Sequence, residues 1–251
     1  MLSKIDLNCD LGEFYGMYDE VRDSRIMPFI SSCNIACGFH SGDPVTIMKT
    51  VKLALKNEVA IGAHPSYPDL QGFGRRIMNL SSEELEACVL YQVSALKGIT
   101  ESMGGSLHHV KPHGALYNHA AENEETAIGV VKAIVRIKDD MLIYAPANSV
   151  LSSIAEDAGL RVRREVFADR RYEDNLSLRS RKLKGAVLEQ KEHVLKQLAG
   201  FLDGVVHTHD GLELPIEAET ICLHSDTDGS AALAKEINEF LTKHDVKITS
   251  D

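Results

Sequence analysis

The sequence predicts an α/β protein, a seven-stranded parallel β/α barrel, on two observations. Short apolar runs alternate with helical stretches along the 251 residues, and nearly every run leads into an ionisable or amide side chain. Helices between short strands require parallel pairing, because a crossover must return the chain to the same edge. Parallel strands end at one rim, where α/β folds keep their active sites. An open doubly wound sheet would gather polar residues at a single switch point. Their recurrence after almost every strand favours a closed barrel with one mouth.

In chain order, the first strand is expected near 4–9, where Ile5–Leu7 leads into Asn8, Asp10 and Glu13. A second, near 32–37, leads to His40 and Asp43, and Pro44 after Asp43 suits the first turn of a helix over 44–57. A third, over 59–63, ends in His64. From His64 to Asn79 runs a Gly- and Pro-rich loop carrying Tyr67, Asp69, Arg75 and Arg76, long enough to be a lid or binding loop. Ser81 with Glu84 three residues on forms a capping box that opens a helix over 81–103, stopped by Gly104-Gly105. A fourth strand over 107–111 places Lys111 and His113 on one side of an extended segment around Pro112. A helix over 120–137, a strand over 141–145 and a helix from Asn148 to 158, ended by Gly159, follow. The sixth strand, 161–167, leads to Asp169 and Arg170, and a helix is expected over 186–202. A small hairpin over 203–218, a strand over 219–224 ending in His224 and Asp226, and a helix over 229–243 complete the pattern.

Composition narrows the function. A chain of this length with 44% hydrophobic residues buries a full core, and no linker or repeat divides it, so residues 1–251 read as one domain. The formal net charge of −10 argues against a nucleic-acid partner, whose binding depends on neutralising phosphates. The basic clusters at 161–164 and 179–184 read as solvated faces. No signal peptide and no run of about 20 apolar residues are present, so no membrane partner is expected. Five cysteines, an odd count, fit reduced thiols and a cytoplasmic location, and Cys33 and Cys37 lack CxxC spacing.

The polar segments read DLNCDLGE at 6–13, SCNIACGFHSGDP at 32–44, GAHPSYPDLQGFGRR at 62–76, VKPHGALYN at 110–118, EVFADRRY at 165–172 and CLHSD at 222–226. Together, in this order, they resemble the LamB/YcsF family, from residue 6 to about 240. The resemblance implies a seven-stranded, TIM-like barrel of the glycoside hydrolase and deacetylase type. It also implies the A subunit of an ATP-dependent 5-oxoprolinase, which with two other subunits, B and C, converts 5-oxo-L-proline, ATP and water to L-glutamate, ADP and phosphate. One departure is visible: the family's last motif reads His-Gly-Asp, whereas Ser225 stands here between His224 and Asp226.

Hydrolysis of an activated lactam needs a base for water, an acid for the leaving nitrogen, and cations for carboxylate and phosphoryl oxygens. Asp10 and Glu13 are candidates for the base; His40, His64 and His113 for acid–base work; Lys111 for a phosphoryl or lactam oxygen; and Asp169 for a further catalytic carboxylate. Asn8, Asp43, Arg75, Arg76, Arg170 and Arg179 are expected at the substrate, although Asp43 reads equally well as a helix N-cap. Asp10, His40 and His64 are similar to the Asp-His-His zinc site of the related deacetylases, which leaves a bound metal open. ATP, with magnesium as its counter-ion, is the expected cofactor, yet the sequence has no GxxxxGK[ST] loop to cradle its phosphates. Two other readings are a metal-dependent, deacetylase-like amide hydrolase acting without ATP, and a non-catalytic subunit that binds a small ligand.

Overall fold

The computed structural model describes residues 2–15, 20–137, 140–188, 190–225 and 229–251. The strands are β1 (Lys4–Leu11), β2 (Ser32–Ala36), β3 (Ala60–His64), β4 (Leu107–Val110), β5 (Leu142–Pro146), β6 (Arg161–Phe167), β7 (Val205–His207), β8 (Glu213–Pro215), β9 (Thr220–Leu223) and β10 (Lys247–Ile248). The helices are α1 (Glu20–Ile26), α2 (Pro44–Lys56), α3 (Ser82–Ser102), α4 (Gly114–Glu122), α5 (Glu124–Ile137), α6 (Val150–Asp157), α7 (Lys191–Leu202) and α8 (Ser230–Lys243). Strands β1 to β6 pair in chain order, all parallel, β9 follows β6, and β9 pairs with β1 to close the barrel. All seven barrel strands fall where the sequence places them. The hairpin β7–β8 is antiparallel and stands outside the barrel, and β10 extends the start of β1.

Some helices depart from expectation for local reasons. The stretch expected as one helix over 120–137 is two, α4 and α5, because Asn123 is extended between them and its side chain accepts from the Thr126 amide and hydroxyl, capping the second. Helix α6 opens on Ser149 in a capping box with Ser152, leaving Asn148 left-handed just before it. Helix α7 starts at Lys191 rather than 186, since the preceding chain makes bridges from Arg170 to Val187 and from Tyr172 to Leu178. The expected capping box of Ser81 and Glu84 is formed at the start of α3.

Strand side chains alternate between faces, and in this barrel the alternation is polar inside and apolar outside. On β1, Asp6, Asn8 and Asp10 point into the lumen, while Ile5, Leu7, Cys9 and Leu11 join the apolar cluster packed under the helices. On β2, Ser32 and Asn34 face inward and Cys33 and Ile35 outward. The same phase puts His109 and Lys111, Tyr144, Glu165 and Thr220 inside. Gly62 on β3 makes room for this filling: a Cβ there would lie 2.0 Å from Nε2 of His109. The apolar cluster, running from Ile5 to Val246, lies between barrel and helices.

Candidate active site

The lumen is a hydrogen-bonded column. At its base, Asp6 accepts from Ser31 (2.6 Å), Ser32 (2.8 Å) and Thr220 (2.6 Å). Above it, Asn8 donates to Thr220 (2.7 Å) and Glu165 (2.9 Å) and accepts from Asn34 (2.7 Å). Asn34 also donates to Asp10 (2.8 Å) and accepts from Nε2 of His109 (2.7 Å), whose ring stacks on Tyr144. Asp10 is therefore positioned from below before any ligand arrives.

Lys111 sits at the centre of this layer, buried. Its Nζ lies 2.9 Å from Oε1 of Glu165, 3.0 Å from Oδ1 of Asp10, 3.0 Å from Sγ of Cys222 and 3.2 Å from Oδ1 of Asn8. An ammonium has three donors, so four protein acceptors leave none for a phosphoryl or lactam oxygen. The expected oxygen-binding role is corrected accordingly: Lys111 is the counter-charge that holds Asp10 and Glu165. Burial opposes its charge, but the carboxylates of Asp10 and Glu165 outweigh that and hold its pKa well above the usual lysine value. Burial likewise opposes ionised Asp10, yet the neighbouring His64 and Lys111 hold its carboxyl well below the usual carboxylate range. Cys222 is pushed far up by burial and stays a thiol.

Glu13, His40, His64 and His113 meet at the rim. Oε1 of Glu13 is 3.1 Å from Nε2 of His40, 3.3 Å from Nδ1 of His113 and 4.0 Å from Nε2 of His64. His64 donates through Nδ1 to the Lys111 carbonyl (2.7 Å), and its Nε2 lies 3.4 Å from Oδ2 of Asp10. His113 donates through Nε2 to the Phe73 carbonyl (2.8 Å). Burial, then the other histidines, push both His40 and His113 well below the usual imidazole pKa. The long loop supports this corner: at Gly74, with φ of +65°, a Cβ would come within 2.8 Å of His113 and 2.9 Å of His40.

The cluster opens into a cavity of about 720 Å³, lined by Asp10, Glu13, His64, Lys111 and His113 on the barrel side. Arg75, Arg76, Arg170, Arg181, Lys182 and His224 line its outer wall. Arg170 is itself buried, donating to the carbonyls of Ala186 and Arg179, and burial followed by the charge of Arg181 brings it down to about 10. The Arg75 guanidinium lies 4.9 Å from the Phe73 ring centre. Cations therefore line the same cavity as the carboxylate-and-histidine cluster, a composition that suits an anionic ligand held beside acid–base groups.

Other expected site residues lie elsewhere. Asp43 accepts from the amides of Val45 and Thr46 and from the Thr46 hydroxyl, so it caps α2 and is not among the cavity's lining residues. Arg76 lines the cavity but its guanidinium is held by Asp69. Arg179 is ion-paired with Glu173 at 2.8 Å, away from the cavity lining. Asn8 is part of the column beneath the site rather than of its wall. Asp169 is buried against Nδ1 of His224 at 2.8 Å, so it orients the imidazole that reaches the cavity. Ser225, in the place of the family's glycine, donates to the Asp10 carbonyl (2.7 Å) and ties the end of β9 to β1. Asp226 lies outside the described residues. Glu165 is a site residue that sequence reasoning misses; it lies in inward phase with Phe167 on a strand that also carries Arg161, Arg163 and Arg164, so nothing local singles it out. Arg181 is masked by its place in a basic stretch that reads as solvated.

Comparison with known proteins agrees with this architecture. The chain is 48% identical over 245 residues to the 5-oxoprolinase A subunit of Acinetobacter baumannii, covering 97% of this chain and 96% of that one. It is 44% identical over 249 residues to the protein of the same name from Bacillus cereus, covering 98% of each. Among solved structures, the lactam utilization protein from Thermus thermophilus superposes with a TM-score of 0.92 at 40% identity, covering 99% of this chain and 100% of that one. The LamB/YcsF family model matches residues 5–250, and the chain belongs to the LamB/YcsF family.

Proposed function

We propose that this chain is the A subunit of an ATP-dependent 5-oxoprolinase, which opens the lactam ring of 5-oxo-L-proline to give L-glutamate. The observation that carries this reading is the whole-length likeness to relatives that bear that name, at 44–48% identity. The site supplies the chemistry that such a reaction needs. A lactam is a resonance-stabilised amide, and phosphorylation of its oxygen by ATP would make the ring carbon electrophilic. Water then adds at that carbon, the ring C–N bond breaks with a proton delivered to nitrogen to leave a glutamyl phosphate, and a second water releases phosphate from it. Glu13, His64 and His113, gathered at the rim, stand where water would be activated and a proton returned to nitrogen. Asp10, held through Oδ1 by Lys111 and Asn34, is a weak base and stands as a fixed negative charge with its Oδ2 3.4 Å from Nε2 of His64. Arg170 and Arg75 line the same cavity, where they would meet the substrate carboxylate and phosphoryl oxygens.

ATP with its magnesium ion is assigned to the complex rather than to this chain alone, since the sequence carries no phosphate-cradling loop. The partners are two further subunits, B and C. Among the described residues, no helix is long and apolar enough to cross a membrane. The test is glutamate release from 5-oxoproline by the purified chain, alone and mixed with the two partner subunits, with and without MgATP. Turnover confined to the full mixture with ATP is expected. If the Bacillus cereus relative is active with those partners and this chain is not, the reading fails.

A further inference from the structure

The hydrogen bonds made by two rim histidines fix where their protons lie. A backbone carbonyl only accepts, so Nδ1 of His64 and Nε2 of His113 must both carry hydrogen. The remaining nitrogens, Nε2 of His64 and Nδ1 of His113, then face each other at 2.9 Å. In neutral rings both are bare lone pairs, and two lone pairs at that distance repel. Something positive must lie between them, either a shared proton or a metal ion.

We propose that Glu13, His64 and His113 form a binding site for a single zinc-like divalent transition-metal ion, with an open coordination position facing the cavity. The ligand atoms stand 2.9, 3.3 and 4.0 Å apart. Donors about 2.0–2.1 Å from a tetrahedral zinc are roughly 3.4 Å from one another, so the three already bracket the required separation. Both histidines have their other nitrogen fixed by a backbone carbonyl, the outer support that metal-bound imidazoles need. All three ligands line the cavity, whereas His40 is not among its lining residues.

His40 plays a different part. Its ring stacks on His113 at 3.8 Å and 3° from parallel. In-plane lone pairs of two parallel stacked rings cannot converge on one ion. His40 instead donates through Nε2 to Glu13 at 3.1 Å, making it a positioning residue for that ligand. The ligand set thus shares only His64 with the trio Asp10, His40 and His64 expected from the sequence. Asp10 has one oxygen on Lys111 and Asn34. A second grouping, Asp10, Cys222 and His224, is ruled against by the Lys111 ammonium, 3.0 Å from both Asp10 and Cys222.

This site stands whether or not the substrate is a lactam, and its test uses no substrate. The full-length chain is stripped with a chelator, checked for folding by circular dichroism, and titrated with Zn²⁺ and with Co²⁺. Elemental analysis after gel filtration is expected to show one zinc per chain, and the cobalt form to show visible d–d absorption. Glu13→Gln combined with His113→Ala is expected to abolish both signals, and His40→Ala to keep one ion with about 10–100-fold weaker affinity. His224→Ala is expected to bind like the parent. A folded parent that retains no stoichiometric ion and gives no cobalt spectrum overturns the proposal, leaving a shared proton between the two imidazoles. Stoichiometric binding that survives the double substitution overturns it too.

Discussion

Replacing Lys111 by Met tests the electrostatic centre of the barrel. The substitution keeps the length and most of the volume of the side chain but removes the one ammonium shared by Asp10 at 3.0 Å and Glu165 at 2.9 Å. Both carboxylates are buried, and each keeps an amide donor: Asn34 to Asp10 and Asn8 to Glu165. Breaking a buried pair by removing one partner costs about 3–5 kcal/mol. For a chain of this size a loss near 4 kcal/mol corresponds to a Tm lower by roughly 8–16 °C. The sign of the pH dependence follows from proton uptake. Without the ammonium, the folded-state pKa of one carboxyl rises above its unfolded value. The full penalty is then present above that raised pKa and is relieved as pH falls through it, by up to about 1.4 kcal/mol per pH unit for one proton. Urea denaturation of parent and variant at pH 8, 7 and 6 measures the difference directly. The gap should be widest at pH 8 and narrow toward pH 6. Replacing the whole trio, as Lys111→Met with Asp10→Asn and Glu165→Gln, should restore part of the loss, because no uncompensated charge remains. A parent–variant gap below about 1 kcal/mol, or one that does not change with pH, would refute the buried-pair assignment.

Four further outcomes follow from the same structure. His40 has a folded pKa pushed below the unfolded imidazole value near 6.5, first by burial. Its contribution to stability should therefore be lost as pH falls below about 6.5, by up to roughly 1.4 kcal/mol per pH unit, and His40→Asn should remove that part of the slope measured by urea titration of metal-free protein. Gly62→Ala should cost about 2–3 kcal/mol and distort the Asn34–Asp10 contact, since the new Cβ would overlap His109. Gly98→Ala, in the middle of α3 with nothing within 4 Å of its Cβ, should instead stabilise by up to about 1 kcal/mol in the same denaturation assay. Asp43→Ala should lower stability by about 1 kcal/mol through loss of the α2 cap while leaving KM for substrate unchanged, a split that separates capping from substrate binding.

The fold is legible because strands and helices carry different periods and the strand ends share one chemistry. The seven barrel strands can be placed from apolar runs alone. Helices α1 and α4 have no such signal; α4 opens at Gly114, held at φ +56° by the contact of Ala115 with the Gly74 carbonyl, and no sequence period marks that. The gathering of Asp10, Glu13, His64, Lys111 and His113 is legible for the same reason as the fold, since a barrel rim collects whatever follows its strands. Partnerships are not. That Lys111 has no donor to spare, that Asp169 serves His224, and that Arg76 is held by Asp69 all depend on distances that no local pattern in the chain encodes. Glu165 shows the limit most clearly: its importance comes from lying 2.9 Å from Lys111, a residue on another strand, and not from its neighbours in the chain.

The interior of this barrel also bears on the cation proposed for its rim. A barrel lumen is commonly filled by branched apolar side chains, but here alternate residues of β1 are Asp6, Asn8 and Asp10, and their hydrogen bonds replace that packing. Such a column fixes side chains by direction as well as volume, which suits a site whose histidines must hold chosen tautomers. It also concentrates negative charge. Around Lys111 and the three rim imidazoles stand three carboxylates, Asp10, Glu13 and Glu165. Buried negative charge is costly unless a proton or a cation joins it. Lys111 is shared by Asp10 and Glu165. The proposed ion would sit between Glu13, His64 and His113, where Nε2 of His64 and Nδ1 of His113 face each other at 2.9 Å.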